Sequence, residues 1–157
     1  MKADLFKSIV AEIVEPELSV FGYAIDLKPP GYDFEGNIWF EKMLQDGIYV
    51  MVDFQPRHME LNDLMDFAVN LARNSPMYAI YKNKQLSPKY LLEDRLASVL
   101  WIADRNHPEW ESDHWWHFLN ESELEQACLD VLDKLKEYGI PYLEDLNSKS
   151  PKHIPRN

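Results

Sequence analysis

Two alternating runs separated by a short turn constrain the fold of this 157-residue chain more than any other feature. The runs NIWFEKML and IYVMVDFQ flank Gln45-Asp46-Gly47, and alternation around a glycine-containing turn is typical of a β-hairpin. We predict a three-residue turn with Gly47 in the left-handed conformation, because a two-residue turn would place charged residues opposite apolar ones. This register gives three apolar pairs, Ile38 with Phe54, Phe40 with Val52, and Leu44 with Ile48. This register does not explain why the charged residue Lys42 lies on the apolar face.

The opposite face of this hairpin mixes aromatic, sulfur-containing and acidic side chains. It is too aromatic for an ordinary solvated surface and too charged for an ordinary core. Two interpretations stay open: the face binds a partner, or a loop or the N-terminal helix covers it. The predicted partner-binding residues are Trp39, Glu41, Met43, Tyr49, Met51 and Asp53, with Gln55 beside them.

Amphipathic helices are predicted near both ends of the chain. Residues 3–15 place apolar side chains three and four positions apart, and Pro16 is expected to end this helix. A second helix begins after Asn120, because Asn120 followed by Glu123 has the spacing of an N-cap and its returning acid. Gly139 is expected to end the second helix.

The middle of the chain is less clearly patterned. Residues 61–72 fit a strand and a helix about equally well, and a third strand is favoured. The segments MYAIY and RLASVLW are further strand candidates, separated by the exposed basic loop KNKQLSPK. The fold class is therefore α+β, with an antiparallel sheet of about four to six strands packed against an N-terminal and a C-terminal amphipathic helix. We expect one domain over residues 1–146 and a flexible polar tail over residues 147–157.

The charge of the chain limits its partners. It has 27 acidic and 16 basic residues, a net charge of −11. Nucleic acid is not expected as a partner because it requires a basic face, whereas a basic protein would be attracted. No membrane is expected either, since every apolar run is far shorter than the roughly 20 residues of a transmembrane helix. One cysteine, Cys128, excludes an internal disulfide and fits the reducing cytoplasm.

The stretch DHWWHFLNESELE carries the strongest candidates for chemistry. In a strand, His114 and His117 point to opposite faces and cannot bind one ion. We therefore interpret the stretch as a structural joint, with one ring of Trp115-Trp116 in the core and the other at its rim. Cys128 lies in the apolar stripe of its helix, which predicts a buried, inert thiol. No catalytic residue, metal ligand or cofactor is predicted.

The order of several short motifs resembles a known family. Over residues 3–146 a leading amphipathic helix is followed by a series of short segments in a fixed order. These are GNIWFEKM, VDFQPR, FAVNLARN, DRLASVLW, WW before NESELEQACLDVL, and YGIPYLEDL. This order resembles the uncharacterised bacterial family called domain of unknown function 4304. The most telling motifs are Arg95-Leu96-Ala97, Trp115-Trp116, and Ile140-Pro141 with Leu143. The chain departs from the family between Asn74 and Lys89 and in the acidic loop before the Trp pair.

The resemblance implies a compact α+β domain with an antiparallel sheet, helices at both chain ends and a strand over residues 65–71. It supplies no catalytic residues. The predicted function is a non-enzymatic protein-binding module, an acidic inhibitor or immunity-type protein for a basic partner. One alternative is a structural module that self-associates through the mixed face. The other is a small enzyme with a site in segment 104–117, using Asp104, His107, Asp113, His114 and His117.

Overall fold

The computed structural model describes residues 1–30, 36–58, 63–87, 89–103 and 114–148. Its helices are α1 Ala3–Val20, α2 Pro76–Lys82, α3 Leu96–Ala103, α4 Glu121–Lys134 and α5 Ile140–Glu144, with the π-helix Leu135–Gly139 joining α4 to α5. Its strands are β1 Ala24–Asp26, β2 Ile38–Gln45, β3 Ile48–His58, β4 Leu64–Arg73, β5 Leu92–Arg95 and β6 Trp116–His117. The chain has the α+β fold that its sequence predicts.

The described strands form one antiparallel sheet. β1 to β5 lie side by side in chain order, and β6 pairs with β4. β5 and β6 share the same edge of β4, because β5 pairs with its last four residues and β6 with Asp66 and Phe67. The strands at the margins are short: β1 has three residues, β5 four and β6 two.

The β2–β3 hairpin has most of its predicted register. Phe40 lies opposite Val52, as predicted, and Gly47 takes the left-handed conformation with φ +76°. The predicted pairing of Leu44 with Ile48 is wrong, because the register shifts between Met43 and Gln45 and Gln45 pairs with Ile48. The turn therefore has two residues, Asp46 and Gly47, and the prediction of a three-residue turn is wrong. The bulge at Leu44 keeps the predicted pairing of Phe40 with Val52 despite the shorter turn.

Lys42 lies on the apolar face of the hairpin because it has a partner there. Its Nζ lies 2.5 Å from Oε1 of Glu144 and 5.5 Å from the centre of the Tyr23 ring. Both side chains of the ion pair are about three-quarters buried. The aliphatic stem can therefore pack with the core while the ammonium group contacts the carboxylate.

The main hydrophobic core fills the space between the sheet and the layer formed by α1 and α4. Its centre is a group of aromatic rings around Phe67, whose neighbours lie at centroid distances of 5.7–6.2 Å. These neighbours are Phe6, Phe54, Trp116 and Phe118. All five rings are at most 5% exposed, so this cluster ties α1, β3, β4 and β6 together.

The helical backbone continues past both residues that were expected to end it, within α1 at Pro16 and from the π-helix into α5 at Gly139. Pro16 lies inside α1, where it costs a backbone hydrogen bond, but continuing the helix buries Leu18 completely. Gly139 lies in the π-helix with helical φ and ψ. A Cβ at this position would lie 2.9 Å from Cδ1 of Leu96. The glycine therefore permits close packing against α3 and does not interrupt the helical stretch, which continues into α5.

The middle of the chain contains one confirmed strand and two corrected segments. β4 covers residues 64–73, so the strand interpretation of that region is confirmed. MYAIY is helical instead: it lies in α2, which begins at Pro76 and is followed by Asn83 in the left-handed conformation. RLASVLW is strand only at Arg95 and then forms α3. The last nine residues of the predicted tail lie outside the described part of the chain.

Arg73 fastens the end of the described chain to the sheet. Its side chain is 1% exposed and donates hydrogen bonds at 2.7–2.9 Å to four backbone carbonyl oxygens, those of Tyr90, Leu143, Asp145 and Ser148. Burial lowers the pKa of Arg73, while Tyr142 and Asp145 act in the opposite direction. The guanidinium group thus satisfies three carbonyls at and just after the end of α5, together with the carbonyl of Tyr90.

Candidate functional site

Helix α2 covers much of the predicted partner-binding face. Trp39, Met51 and Asp53 are 0%, 4% and 2% exposed, so the prediction that they lie on an outer surface is wrong. Tyr78 of α2 packs against Trp39 with their ring centres 6.2 Å apart. The covering element is neither a loop nor the N-terminal helix, the two candidates considered from the sequence. The result is a second, smaller core on this face, formed by Trp39, Met51, Ala72 and Tyr78.

The other three predicted residues retain some exposure. Met43 is 58% exposed, while Glu41 and Tyr49 are half-buried. Glu41 accepts a hydrogen bond from the hydroxyl of Tyr78 at 3.0 Å and lies 2.9 Å from Nζ of Lys82. Burial, followed by the charge of Glu41, raises the pKa of Tyr78. Glu41 therefore holds α2 in place through its contacts with Tyr78 and Lys82.

Lys82 connects α2 to two strands. Its ammonium group pairs with Asp26 of β1 and Glu41 of β2, and it lies 5.7 Å from the centre of the Trp39 ring. Burial lowers the pKa of Lys82, but hydrogen bonds to the two carboxylates outweigh that effect and raise the pKa. Lys82 therefore remains charged at neutral pH and helps to close the second core.

The outer side of α2 carries an apolar stripe. Met77, Ile80 and Tyr81 are 38%, 76% and 44% exposed and lie three and four positions apart. On a helix this spacing places the three side chains on one face, which here points away from the sheet. The stripe could not be assigned from the sequence because MYAIY was interpreted as a strand.

A polar network lies beside the second core. Asp53 and Asn70 are direct partners across β3 and β4, and Nδ2 of Asn70 donates to Oδ2 of Asp53 at 3.0 Å. The same nitrogen donates to Oε1 of Gln55 at 2.8 Å. Nδ2 of Asn37 donates to the other oxygen of Asp53 at 3.4 Å. The buried Asp53 carboxylate is thus held by two amides.

A cleft of about 390 Å³ opens between this network, β5 and the start of α2. It combines apolar side chains with carboxylate, amide and hydroxyl groups, and Arg95 lies at its edge. Clefts of this size and mixed lining accommodate small molecules. The cleft is lined by Met51, Asp53, Asn70, Leu71, Ala72, Ser75, Met77, Glu93, Asp94 and Arg95.

The two tryptophans of the joint occupy different environments, as predicted. Trp116 is 5% exposed and donates from Nε1 to Oδ2 of Asp130 at 2.9 Å. Trp115 is half-buried and has two guanidinium groups near its ring, Arg57 at 4.7 Å and Arg95 at 5.0 Å. The sequence shows no signal that joins these two arginines, since only the pairing of β3, β4 and β5 brings them to one ring.

The two candidate histidines make separate contacts. The His114 ring lies edge-on to Trp116 at 4.7 Å. His117 is largely exposed, and its Nδ1 lies 3.3 Å from Oδ2 of Asp66, which also pairs with Arg57. Within the described ranges, no group of three or more potential metal-binding side chains occurs.

The remaining members of the alternative enzyme site, Asp104, His107 and Asp113, lie outside the described residues. That alternative therefore stays a prediction.

Cys128 is fully buried in α4, and burial, followed by the charge of Glu125, raises the pKa of its thiol to about 12. The prediction of a buried thiol is confirmed.

Most of the net negative charge lies on the helical layer, which we define as α1 together with residues 121–144. α1 has four acids and one lysine, and residues 121–144 have seven acids and two lysines. The layer therefore carries a net charge of −8 of the −11 of the whole chain. No helix among the described residues has the length and apolar character needed to cross a bilayer.

The outer side of α4 also exposes an apolar residue. Leu129 is 47% exposed and lies one turn from Glu125 on one side and from Asp133 on the other. Both acids are exposed. An exposed leucine between two carboxylates has the chemistry of an apolar contact surrounded by a charged rim.

Residues 24–145 match the family model described as "Domain of unknown function (DUF4304)". No curated protein and no solved structure significantly matches the chain.

Proposed function

The chain belongs to the DUF4304 family, whose description assigns no function, and we propose that it is a non-enzymatic binding module for a basic protein. The contact surface is the helical layer and not the sheet face predicted from the sequence, since α2 covers that face. An acidic inhibitor or immunity-type protein acts in this way, by covering a basic surface of its partner.

The uneven distribution of charge carries this proposal. The helical layer holds a net charge of −8 in 42 of the 157 residues. Charge needed only for solubility does not have to concentrate on one side of the molecule. A one-sided negative surface attracts a basic protein and orients it during the encounter.

Leu129 gives this surface an apolar contact point. A few large side chains supply most of the energy of an interface, and charges around them add specificity and a faster association rate. Leu129, placed between Glu125 and Asp133, fits the first role, and the two acids fit the second. The partner surface therefore combines an apolar depression with lysine or arginine around it.

The test uses basic proteins encoded beside this gene as candidate partners, and calorimetry as the measurement. We expect the affinity to weaken as salt rises from about 0.05 to about 0.5 M. At the upper concentration the Debye length is below about 5 Å, so exposed charges on the two proteins attract each other only at very short range. The double variant Glu125→Lys/Asp133→Lys and the single variant Leu129→Ala should each lose at least about tenfold in affinity. Glu93→Lys, on the other face of the sheet, is the matched control and should bind normally.

Two results would count against the proposal. One is that no basic neighbour-encoded protein binds, and the other is that the Glu93 control loses as much affinity as the α4 variants. Polylysine serves as the control for generic charge attraction. If polylysine binds as tightly as the candidate partner, the interaction is non-specific attraction between opposite charges.

The outer stripe of α2 favours a second candidate, self-association. Met77, Ile80 and Tyr81 present apolar surface on the side of the molecule opposite the helical layer. Association through apolar contacts persists at high salt. Sedimentation of the wild type and of Ile80→Glu/Tyr81→Glu at 0.5 M salt tests this candidate: a dimer that the double variant abolishes supports it, and a wild-type monomer at about 100 μM contradicts it.

A further inference from the structure

We propose that the outer stripe of α2 docks into a groove between β6 and α4 of a second copy of this chain. The groove lies at the margin of the helical layer, and Trp116, Phe118, Leu119, Glu123, Gln126 and Asp130 are among the residues that line it. The inference rests on the proposed function, because it uses the same acidic surface and names its occupant. It differs from a contact between two α2 stripes, since each copy contributes a different surface.

Apolar side chains form the inner part of the groove. Trp116, Phe118 and Ala127 line it and are at most 9% exposed, while Leu119 lines it and is 77% exposed. The volume of the groove is about 540 Å³. A concave apolar surface of this kind can receive the apolar face of a helix from another molecule.

The α4 side of the groove carries negative charge. Glu123 and Asp130 line it, and its lining residues, all in the described part of the chain, include no lysine or arginine. Asp130 accepts from the indole of Trp116 and Glu123 from the backbone of Leu119. Both donors are neutral, so the two carboxylates keep their charge. The groove therefore favours an apolar group with cations around it.

The stripe of α2 matches the groove in character and length. Ile80, Tyr81 and Met77 are 76%, 44% and 38% exposed on the outer side of the helix. At a rise of 1.5 Å per residue, the seven residues of α2 span about 10 Å, and residues 122–130 along the groove span about 12 Å. One turn-by-turn contact between the two helices therefore covers the stripe.

Lysines lie at both ends of the stripe. Residues 74–91 contain three lysines and no acid. The backbone nitrogen of Lys84, after α2, donates to Ala79 at 3.0 Å, and the carbonyl oxygen of Lys89 accepts from Asn74, just before α2, at 3.0 Å. Both lysine side chains are exposed. Positive charge therefore flanks the apolar stripe and complements the acids of the groove.

The two surfaces belong to one chain but cannot meet within it. The core beneath α2 and the core beneath α4 lie on opposite faces of the sheet. Complementary surfaces on different sides of one molecule make a head-to-tail contact between copies. The net charge of −11 on each copy opposes this contact, so the association is weak and depends on the local match. Each contact covers the groove, so a second copy and a basic partner compete for the helical layer.

The experiment is sedimentation velocity of the full-length protein up to about 300 μM in about 0.15 M salt, where a Debye length of about 8 Å screens the repulsion between whole copies. We expect the wild type to form dimers and larger species. Leu119→Lys/Gln126→Lys adds positive charge to the groove, and Ile80→Ser/Tyr81→Ser removes most of the stripe. Each double variant alone should associate at least about tenfold more weakly than the wild type.

An equimolar mixture of the two double variants should regain association as dimers, because the intact groove of one meets the intact stripe of the other. All four substituted side chains are exposed, and recovery in the mixture shows that both variants are folded. Val20→Ser is the matched control and should associate as the wild type does, since Val20 is 82% exposed and lies outside both surfaces.

A wild type that stays monomeric at the highest concentration would overturn the proposal. So would a mixture that associates no more than each variant alone. Association of the groove variant at the wild-type level would reject the groove and assign the contact to two α2 stripes. Self-association requires no other protein, so its absence leaves the binding of a basic partner to be decided by calorimetry. Self-association without binding of any basic neighbour-encoded protein would reject the proposed function alone.

Discussion

The face of the sheet beneath α1 and α4 and the face beneath α2 are built from the same strands but are filled differently. Beneath α1 and α4, phenylalanine rings and aliphatic chains form one continuous core. Beneath α2, four buried side chains form a small core, and an amide–carboxylate network and a cleft lie beside it. The first face supplies most of the stability, and the second has room for recognition. A helix of seven residues covers too little of the sheet to seal that face.

The largest effect is expected at the centre of the main core. Phe67→Ala should lower the free energy of unfolding by about 4 kcal/mol, because it leaves a cavity among four aromatic neighbours. Urea unfolding followed by tryptophan fluorescence measures the loss. Met51→Ala, in the small core under α2, is the matched variant. A greater loss in Met51→Ala than in Phe67→Ala would reverse the assignment of stability to the two faces.

Arg73→Met should cost about 3 kcal/mol, because one buried and three partly buried carbonyl oxygens lose their donor. Hydrogen exchange should also become faster at residues 143–148, which the guanidinium group fastens to the sheet. Lys136→Met is the control: its side chain is 38% exposed and that of its partner Glu17 is 49% exposed, so its loss should be at most about 1 kcal/mol. Equal losses in the two variants would show that Arg73 contributes no more than a lysine on the surface.

The accessibility of thiols can be used to compare the two faces directly. Cys128 in α4 should react with a small thiosulfonate at least about tenfold more slowly than a cysteine at the exposed position 93 of the cleft, made as Glu93→Cys in a Cys128→Ala background. The Cys128 thiol is fully buried and its pKa is about 12, so almost no thiolate exists at pH 8. Equal labelling rates would mean that the main core opens as readily as the cleft.

The raised pKa of Cys128 also predicts the sign of a pH effect. Its contribution to stability is intact below the unfolded pKa of about 8.5 and is lost as pH rises from there to about 12. Cys128→Ala should therefore show a weaker decline of stability than the wild type between pH 8.5 and 11, measured by urea unfolding. The two proteins should decline in parallel if the thiol is not buried in solution.

The smallest effect is expected on the outer side of the helical layer. Oε2 of Glu17 lies 2.5 Å from Nζ of Lys136, and both side chains are exposed. Glu17→Gln should change the free energy of unfolding by less than about 0.5 kcal/mol, and the difference should disappear in 0.5 M salt, where screening is strong. A loss above about 1 kcal/mol would mean that this ion pair between α1 and the π-helix adds substantially to the stability of the main core.

The parts of the fold that local rules determine were predictable from the sequence. Alternation around Gly47 predicts the hairpin, and Asn120 caps α4 as expected, with its Oδ1 accepting from the backbone nitrogen of Glu123 at 2.9 Å. Glu123 in turn accepts from the backbone of Leu119 at 2.6 Å. Such interactions lie within a few residues of each other, so the sequence displays them directly.

The parts that depend on distant residues were not predictable. Gly139 resembles a helix end, but its packing against Leu96 is visible only in three dimensions. MYAIY resembles a strand, but Tyr78 is buried because Trp39 and Tyr49 lie beneath it. The candidate cleft depends on the same placement of α2. Its members come from β3, β4, β5 and α2 and share no pattern in the sequence.

The short strands at the margins of the sheet bear on how the chain behaves at high concentration. A long exposed margin offers unpaired backbone groups on which another chain can add a strand and start an aggregate. Here the marginal strands of the described sheet have two to four residues, too few to template such an addition. The described sheet therefore offers no long margin for fibril growth, even though α2 exposes an apolar stripe.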